Sequence, residues 1–286
     1  MPSLIDIRRR IKSVKNTQQI TKAMKMVSAA RLRRAQDRVL AARPYAALLR
    51  RMLSNVAAAA VSDPEAAANP LLAQRPEKQI QLLVVTADRG LAGAFNASLI
   101  RAAQKFIDDH AQAGIQVEAI GRKGRDYFRR RKAKLSGEHV GLFQKVQYAD
   151  AAAIADSIIE RFSNAEVDAV YLAVNQFKNA MVADLSLTRI LPVELPKDSQ
   201  PVSYIYEQPA AELLAGLVPR YIEMQIYQAL LESSAAEHAA RMTAMDAASS
   251  NATEVIDNLT LYMNRVRQAS ITREIIEVVS GAAALD

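Results

Sequence analysis

The stretch LVPRYIEMQIYQALLESSAAEHAARMTAMDAASSNATEVIDNLTLYMNRVRQAS, residues 217–270, decides the fold. Alternate steps of four and three residues from Leu217 land on Tyr221, Met224, Gln228, Leu231, Ala235, His238, Met242, Met245, Ser249, Ala252, Ile256, Leu259, Met263, Val266 and Ser270. Twelve of these sixteen positions are apolar. A 3-4 spacing held so long is a coiled-coil seam, because the one-sided face of a globular helix seldom runs past about 20 residues. No glycine lies between Gly216 and Gly281, and Pro219 is the sole proline there. At about 1.5 Å per residue the helix is on the order of 100 Å long, too long for one compact domain to bury. It must pair with a second long helix.

That helix is at the other end of the chain. The same stepping from Ile7 gives Ile11, Val14, Gln18, Thr21, Lys25, Ser28, Leu32, Ala35, Val39, Ala42, Ala46, Leu49, Leu53 and Val56, and no glycine occurs before Gly90. The polar block in the middle is flanked by Ile20, Met24 and Val27, so the stripe is expected to drift by one residue and then return. Pro44 lacks an amide hydrogen and is expected to kink the helix near Arg43. With a domain between them, two terminal helices fold back most simply as an antiparallel pair.

The intervening segment alternates strand and helix. Ser62 to Glu77 carries three prolines and reads as a linker. Strands are expected at Gln79–Thr86, Gln116–Ile120, Asp168–Val174 and Val182–Leu191, and helices at Ala94–His110, Lys123–Arg131 and Ala149–Phe162. This order predicts parallel βαβ units with helices covering the sheet. Pro192 to Pro209 is a second linker. The expected organisation is an N-terminal coiled-coil helix at 1–61, a Rossmann-like α/β domain at 77–195 and a C-terminal coiled-coil helix at 209–286.

Composition excludes several chemistries. With no cysteine there are no disulfides, thiolate metal sites or Cys nucleophiles. His110, His139 and His238 are scattered, which argues against a metal site or a triad; on the seam, His238 is expected to fix register. Gly90-Leu-Ala-Gly93 is neither G-x-G-x-x-G nor a Walker loop and reads as a structural turn. No catalytic, cofactor-binding or metal-ligating residue is expected. The opening, Met1 to Val14, lacks a secretory apolar region and continues straight into the helical pattern, so it reads as mature protein. No apolar run approaches the roughly 18 residues of a membrane span.

Charge is unevenly spread. Residues 1–51 hold fourteen Lys and Arg against Asp6 and Asp37, whereas the rest of the chain holds 23 basic residues against 28 acidic ones. Tyr45 is the only aromatic in the first sixty residues, so the basic helix has no stacking platform for nucleic acid; it reads as either a solvated face or a surface for an acidic protein. Arg122 to Lys134 places eight basic residues against Asp126, either a solvated face or a surface for acidic protein or anionic lipid. Near the end, Ile271, Ile275, Ile276, Val278, Val279, Ala282 and Leu285 cover about half the helix circumference, wider than one seam requires.

Residues 271–284, ITREIIEVVSGAAA, resemble the C-terminal signature of the gamma subunit of the rotary F-type ATP synthase, bacterial type. Residues 7–27, IRRRIKSVKNTQQITKAMKMV, are similar to its N-terminal helix, TADRGLAGAFN (86–96) to its first strand-to-helix turn, and Tyr221 to Met245 to its returning helix. The resemblance spans nearly the whole chain. It implies a non-catalytic central stalk that couples rotation of the membrane ring of c subunits to conformational changes in a ring of alternating alpha and beta subunits. ATP synthesis or hydrolysis would be linked in this way to proton (or sodium) transport.

By the same resemblance, Met24 and Lys25 face an acidic loop of beta, and Arg267 and Gln268 meet a catalytic-subunit loop. Ile271, Thr272, Glu274, Ile275, Glu277 and Val279 sit in an apolar bearing. Tyr204 lies in the foot that meets the c ring and the epsilon subunit. The implied location is peripheral, on the cytoplasmic face of the bacterial inner membrane. Ala92 stands where many members have Cys, and the chloroplast-type cysteine insert is absent, so thiol control is not expected. Pro219 and the Arg129–Arg131 cluster depart from the family pattern. The competing readings are a nucleic-acid-binding coiled coil and a nucleotide-binding α/β enzyme with a helical arm.

Overall fold

The computed structural model describes residues 3–59, 69–179, 183–194 and 207–283. Its elements are α1 (Leu4–Ala59), β1 (Gln79–Val85), α2 (Phe95–Asp109), β2 (Gly114–Ile120), α3 (Arg122–Arg130), β3 (Leu135–His139), α4 (Tyr148–Ser163), β4 (Ala169–Phe177), β5 (Ala183–Leu191) and α5 (Ala210–Ala283). The chain divides into two compact units, Met1–Ser28 with Arg241–Asp286, and Ala29–Ala240. The long helices α1 and α5 contribute to both.

In the first unit α1 and α5 pair antiparallel. Gln18 Nε2 donates to Thr253 Oγ1 at 2.7 Å, the Thr21 and Ser249 hydroxyls bond at 2.7 Å, and Lys25 Nζ donates to Asp246 Oδ1 at 2.6 Å. As numbering rises on one helix it falls on the other. Helix α1 begins with a capping box: Ser3 Oγ accepts from the Asp6 amide, and Asp6 Oδ2 accepts from the Ser3 amide. The expected drift of the stripe does not occur. Thr21 and Ser28 are buried in the seam, while Ile20 and Val27 are 60% and 53% exposed. Hydroxyl and amide groups can hold this section because each finds a partner across the pair or on its own backbone, as Ser28 does on the Met24 carbonyl. Helix α1 runs through Pro44 without a break.

The second unit is built on a five-stranded sheet ordered β3-β2-β1-β4-β5. The first four strands are parallel; β5 pairs antiparallel with β4. The sheet is therefore mostly parallel, closed at one edge by a hairpin rather than by a further βαβ crossover. One face carries Ile80, Leu82, Val84, Val117 and Ala173 against Leu99, Ala103 and Phe106 of α2 and Phe128 of α3. At the carboxyl end of β1, Ser233 Oγ of α5 lies 3.4 Å from the Val85 carbonyl.

Strand β3 has no counterpart in the sequence reading, since Leu-Ser-Gly-Glu-His offers no apolar alternation. Tertiary contacts hold it instead. Gln81 Nε2 donates to the nearly buried Glu118 carboxylate and lies 3.4 Å from Ser136 Oγ, and His139 Nε2 bonds Glu118 Oε1 at 2.7 Å. Gly137 leaves room for the Glu118 side chain, which lies 3.1 Å from where a Cβ would stand.

Within α5, all eight residues from Glu232 to Ala239 are buried. A two-helix seam would bury only one side of this turn, so here the helix is enclosed all round. Small side chains at Ser233, Ser234, Ala235, Ala236 and Ala239 permit that close approach. His238 lies in this enclosed turn, its Nδ1 2.9 Å from Glu237 Oε2.

Candidate partner-contact surfaces

The register of the helix pair fixes how far each helix extends past the other. Extrapolated from the three cross-helix bonds, Leu4 at the start of α1 falls level with about Arg267 of α5. Up to that level the seam is closed: Met245, Ser249 and Ala252 are buried, and Ile256, Leu259, Met263 and Val266 are half-buried, as is Ser270 just past it. Beyond it every residue from Ile271 to Ser280 is exposed. Ile271, Ile275, Ile276, Val278 and Val279 are 49–72% exposed. Helix α5 has outrun its partner here, and the wide apolar arc faces solvent on its own.

Arg267 and Gln268 are exposed at the level where the pair ends, and Gln268 accepts the Thr272 hydroxyl on its carbonyl. Glu274 Oε1 accepts from Ser270 Oγ, and Glu277 is exposed. Met24 is half-buried beside Lys25, whose ammonium is tied to Asp246 with both side chains about half exposed. Tyr204 lies outside the described residues, as does Leu285.

Further apolar side chains stand on the outside of the paired section: Ile20, Met26 and Val27 on α1, and Val255, Leu261 and Tyr262 on α5. Sequence spacing assigned Ile20 and Val27 to the seam and gave Met26 no role. The signal that finds them is the strict 4-3 step itself, which selects Gln18, Thr21, Lys25 and Ser28 and thereby turns their apolar neighbours outward.

At the carboxyl ends of the parallel strands, the turn Asp88–Gly93 is closed by the chain's own groups. Asp88 accepts from the Arg122 amide at 3.0 Å and from the Gly141 amide, and Asn96 Oδ1 accepts from the Ala87 amide. The amides at the start of α3 that could hold a phosphate thus already hold a carboxylate. Leu91 at φ 64 and Gly93 at φ 54 make the tight turn. Among the described residues no group of His, Asp and Glu is placed to hold a metal.

The basic run forms α3 and its end. Arg125 is hydrogen-bonded to Asp126, which holds that carboxyl below its usual range, and Arg129 forks onto Glu138. Arg131 stacks 4.6 Å over the Tyr127 ring. Arg122, Lys123, Lys132 and Lys134 remain exposed.

Residues 3–285 match the family model described as ATP synthase. The ATP synthase gamma chain of Solibacter usitatus is 65% identical over 286 residues, with both chains covered in full. This chain belongs to the ATP synthase gamma-chain family. Gamma chains of an Anaeromyxobacter species and of Pelotomaculum thermopropionicum are each 50% identical over their full lengths. Among solved structures, a chain of the Tetrahymena thermophila mitochondrial ATP synthase central stalk and c-ring is 29% identical. It covers 80% of this chain and 99% of its own length, with a TM-score of 0.64. A chain of the Euglena gracilis mitochondrial enzyme, at 17% identity and a TM-score of 0.67 over 99% of this chain, shares the fold. Among the described residues of this gamma-family chain, no helix is long and apolar enough to cross a membrane.

Proposed function

We propose that the chain is the central rotor stalk of an F-type ATP synthase, a non-catalytic subunit. It would transmit rotation of a membrane ring of c subunits to catalytic sites on beta, for ATP synthesis or hydrolysis coupled to proton or sodium movement. Its partners would be the alternating alpha and beta subunits, the epsilon subunit and the c ring, and its location the cytoplasmic face of the bacterial inner membrane. Two unlike helices wound together present a different face in every direction. Three equivalent sites around them would then meet different contacts at any angle, and only such differential contacts shift conformational equilibria.

The observation that carries this reading is the bare end of α5. Five large apolar residues from Ile271 to Val279 stand in solvent past the end of α1, an arrangement that calls for an apolar sleeve from other subunits. Ile271, Thr272, Glu274, Ile275, Glu277 and Val279 are proposed to line that bearing. Arg267 and Gln268 would meet a catalytic-subunit loop, and Met24 and Lys25 the acidic loop of beta. The outward Ile20, Met26 and Val27 would extend the last of these contacts. Residues 77–195 are proposed as an α/β domain between the helices of 1–61 and 209–286.

Val279→Asp tests the bearing. Burying an unpaired carboxylate costs several kcal/mol or forces it to take up a proton. Val279 is 61% exposed in the chain alone, so the cost arises only on assembly. The purified variant should keep wild-type helicity and melting temperature, while its yield of reconstituted alpha-beta-gamma complex falls. Equal destabilisation of the isolated variant, or an unchanged complex, refutes the bearing.

A further inference from the structure

Helices α1, α4 and α5 line an open cavity of about 750 Å³ in the second unit. Tyr45, Tyr148 and Tyr227 contribute aromatic walls, and Arg38, Arg220 and Glu223 contribute charge. The Tyr148 and Tyr227 rings meet edge to face with centroids 5.6 Å apart. Tyr45 and Tyr148 are 50% and 42% exposed, so ring surface is presented to the opening rather than packed away.

The charges are unequal in availability. Glu223, the one carboxylate of the lining, already accepts the Tyr148 hydroxyl. That phenol is pushed up to about 12, by burial first and by the Glu223 hydrogen bond second, so it stays protonated and keeps Glu223 engaged. Arg38 and Arg220 are exposed, and among the described residues neither has an ion-pair partner. The cavity therefore offers two uncommitted guanidiniums beside three tyrosine rings.

We propose that this cavity is a binding site for a small planar aromatic anion, its ring held among Tyr45, Tyr148 and Tyr227 and its carboxylate or other oxyanion paired with Arg38 and Arg220. The volume falls within the range of small-ligand sites, about 300–1,000 Å³. Guanidinium to oxyanion pairing supplies orientation, and the aromatic walls supply buried area at low entropic cost. Because the walls come from α1, α4 and α5, an occupant bridges the long helices to the α/β layer. Nothing in the family's rotary role requires such a site, and its test is independent of that role.

The experiment is calorimetric titration of the full chain with 2-naphthoate at fixed ionic strength, against the neutral 2-naphthalenemethanol. The expected result is saturable one-to-one binding of the anion. Affinity should fall at least about tenfold with the neutral analogue and at least about tenfold in Arg38→Gln/Arg220→Gln, the minimum for losing charge-assisted hydrogen bonds. Both arginines are solvent-exposed, so the variant should retain its fold, checked by circular dichroism. Tyr45→Ala, a second exposed position, should weaken binding without touching charge. Absence of saturable binding, or a loss smaller than about tenfold for the double variant or for the neutral analogue, overturns the proposal. Binding that persists in Tyr45→Ala at wild-type affinity overturns it equally, because the ring is then not held where Tyr45 stands.

Discussion

The hydroxyl pair Thr21–Ser249 allows a sharp test of the polar seam. Thr21 is 9% exposed and Ser249 6%, and their oxygens lie 2.7 Å apart. The two sides are unequal. Thr21 also bonds the Gln18 carbonyl at 3.0 Å, whereas the Ser249 hydroxyl has Thr21 as its partner. Thr21→Val strands the Ser249 hydroxyl in a nearly dry layer, at a cost of about 1–3 kcal/mol. Ser249→Ala leaves Thr21 one bond and should cost only about 0.5–1.5 kcal/mol. Replacing both removes donor and acceptor together and should cost less than the sum, with a coupling on the order of 1 kcal/mol. The readout is native-state hydrogen exchange at amides of 14–28 and 242–256, which reports local opening of the helix pair. Effects that add within about 0.5 kcal/mol, or a Ser249→Ala cost above that of Thr21→Val, would refute the pairing and the register built on it.

Gly121 and Gly216 should respond oppositely to alanine. Gly121 has φ +95 and a Cβ there would stand 2.0 Å from the Thr86 carbonyl oxygen, so Gly121→Ala should cost at least about 2 kcal/mol in denaturant melts. Gly216 is exposed within α5 with open space around it, so Gly216→Ala should stabilise by about 0.5–1 kcal/mol. Ultraviolet titration should show tyrosine ionisation near 12 that is lost in Tyr148→Phe. A tyrosine raised in the folded state gives stability that is complete below its unfolded value of about 10 and disappears as pH rises through about 12, so the variant should differ from wild type less above that window than below it.

The long helices were legible because their signal is periodic and local. Every position that the 4-3 step selects on α1, from Ile7 to Val56, is buried or half-buried. The polar block was misread because Ile20 and Val27 are the better hydrophobes. Transfer energy favours them in a seam, yet a one-residue shift would also move the whole register, and the cross-helix hydrogen bonds make the shift unnecessary. The strands β1, β2 and β4 were legible as apolar runs. Strand β3 was not, because its place depends on Gln81 and Glu118, residues 37 positions apart on neighbouring strands. The antiparallel course of β5 left no mark in its composition either, since pairing direction is a property of the connection and not of the strand.

The candidate surfaces divide along the same line. Where a residue's role follows from its own helix, as for Ile271 and Val279, a wheel drawn from sequence already shows an arc wider than one partner can cover. Where the role follows from the partner helix ending, sequence is silent: the level at which α1 stops beside α5 depends on the register, which three polar contacts set. Those contacts lie between residues 18 and 25 on α1, far from the tip. A slip of one heptad there would move the end of α1 by about 10 Å and would cover Ile271 and Ile275 or lay bare Val266 and Met263. The polar seam and the bare apolar end are therefore one device. Hydrogen bonds that contribute little net stability select the register, and the register decides how much of α5 stays uncovered by α1.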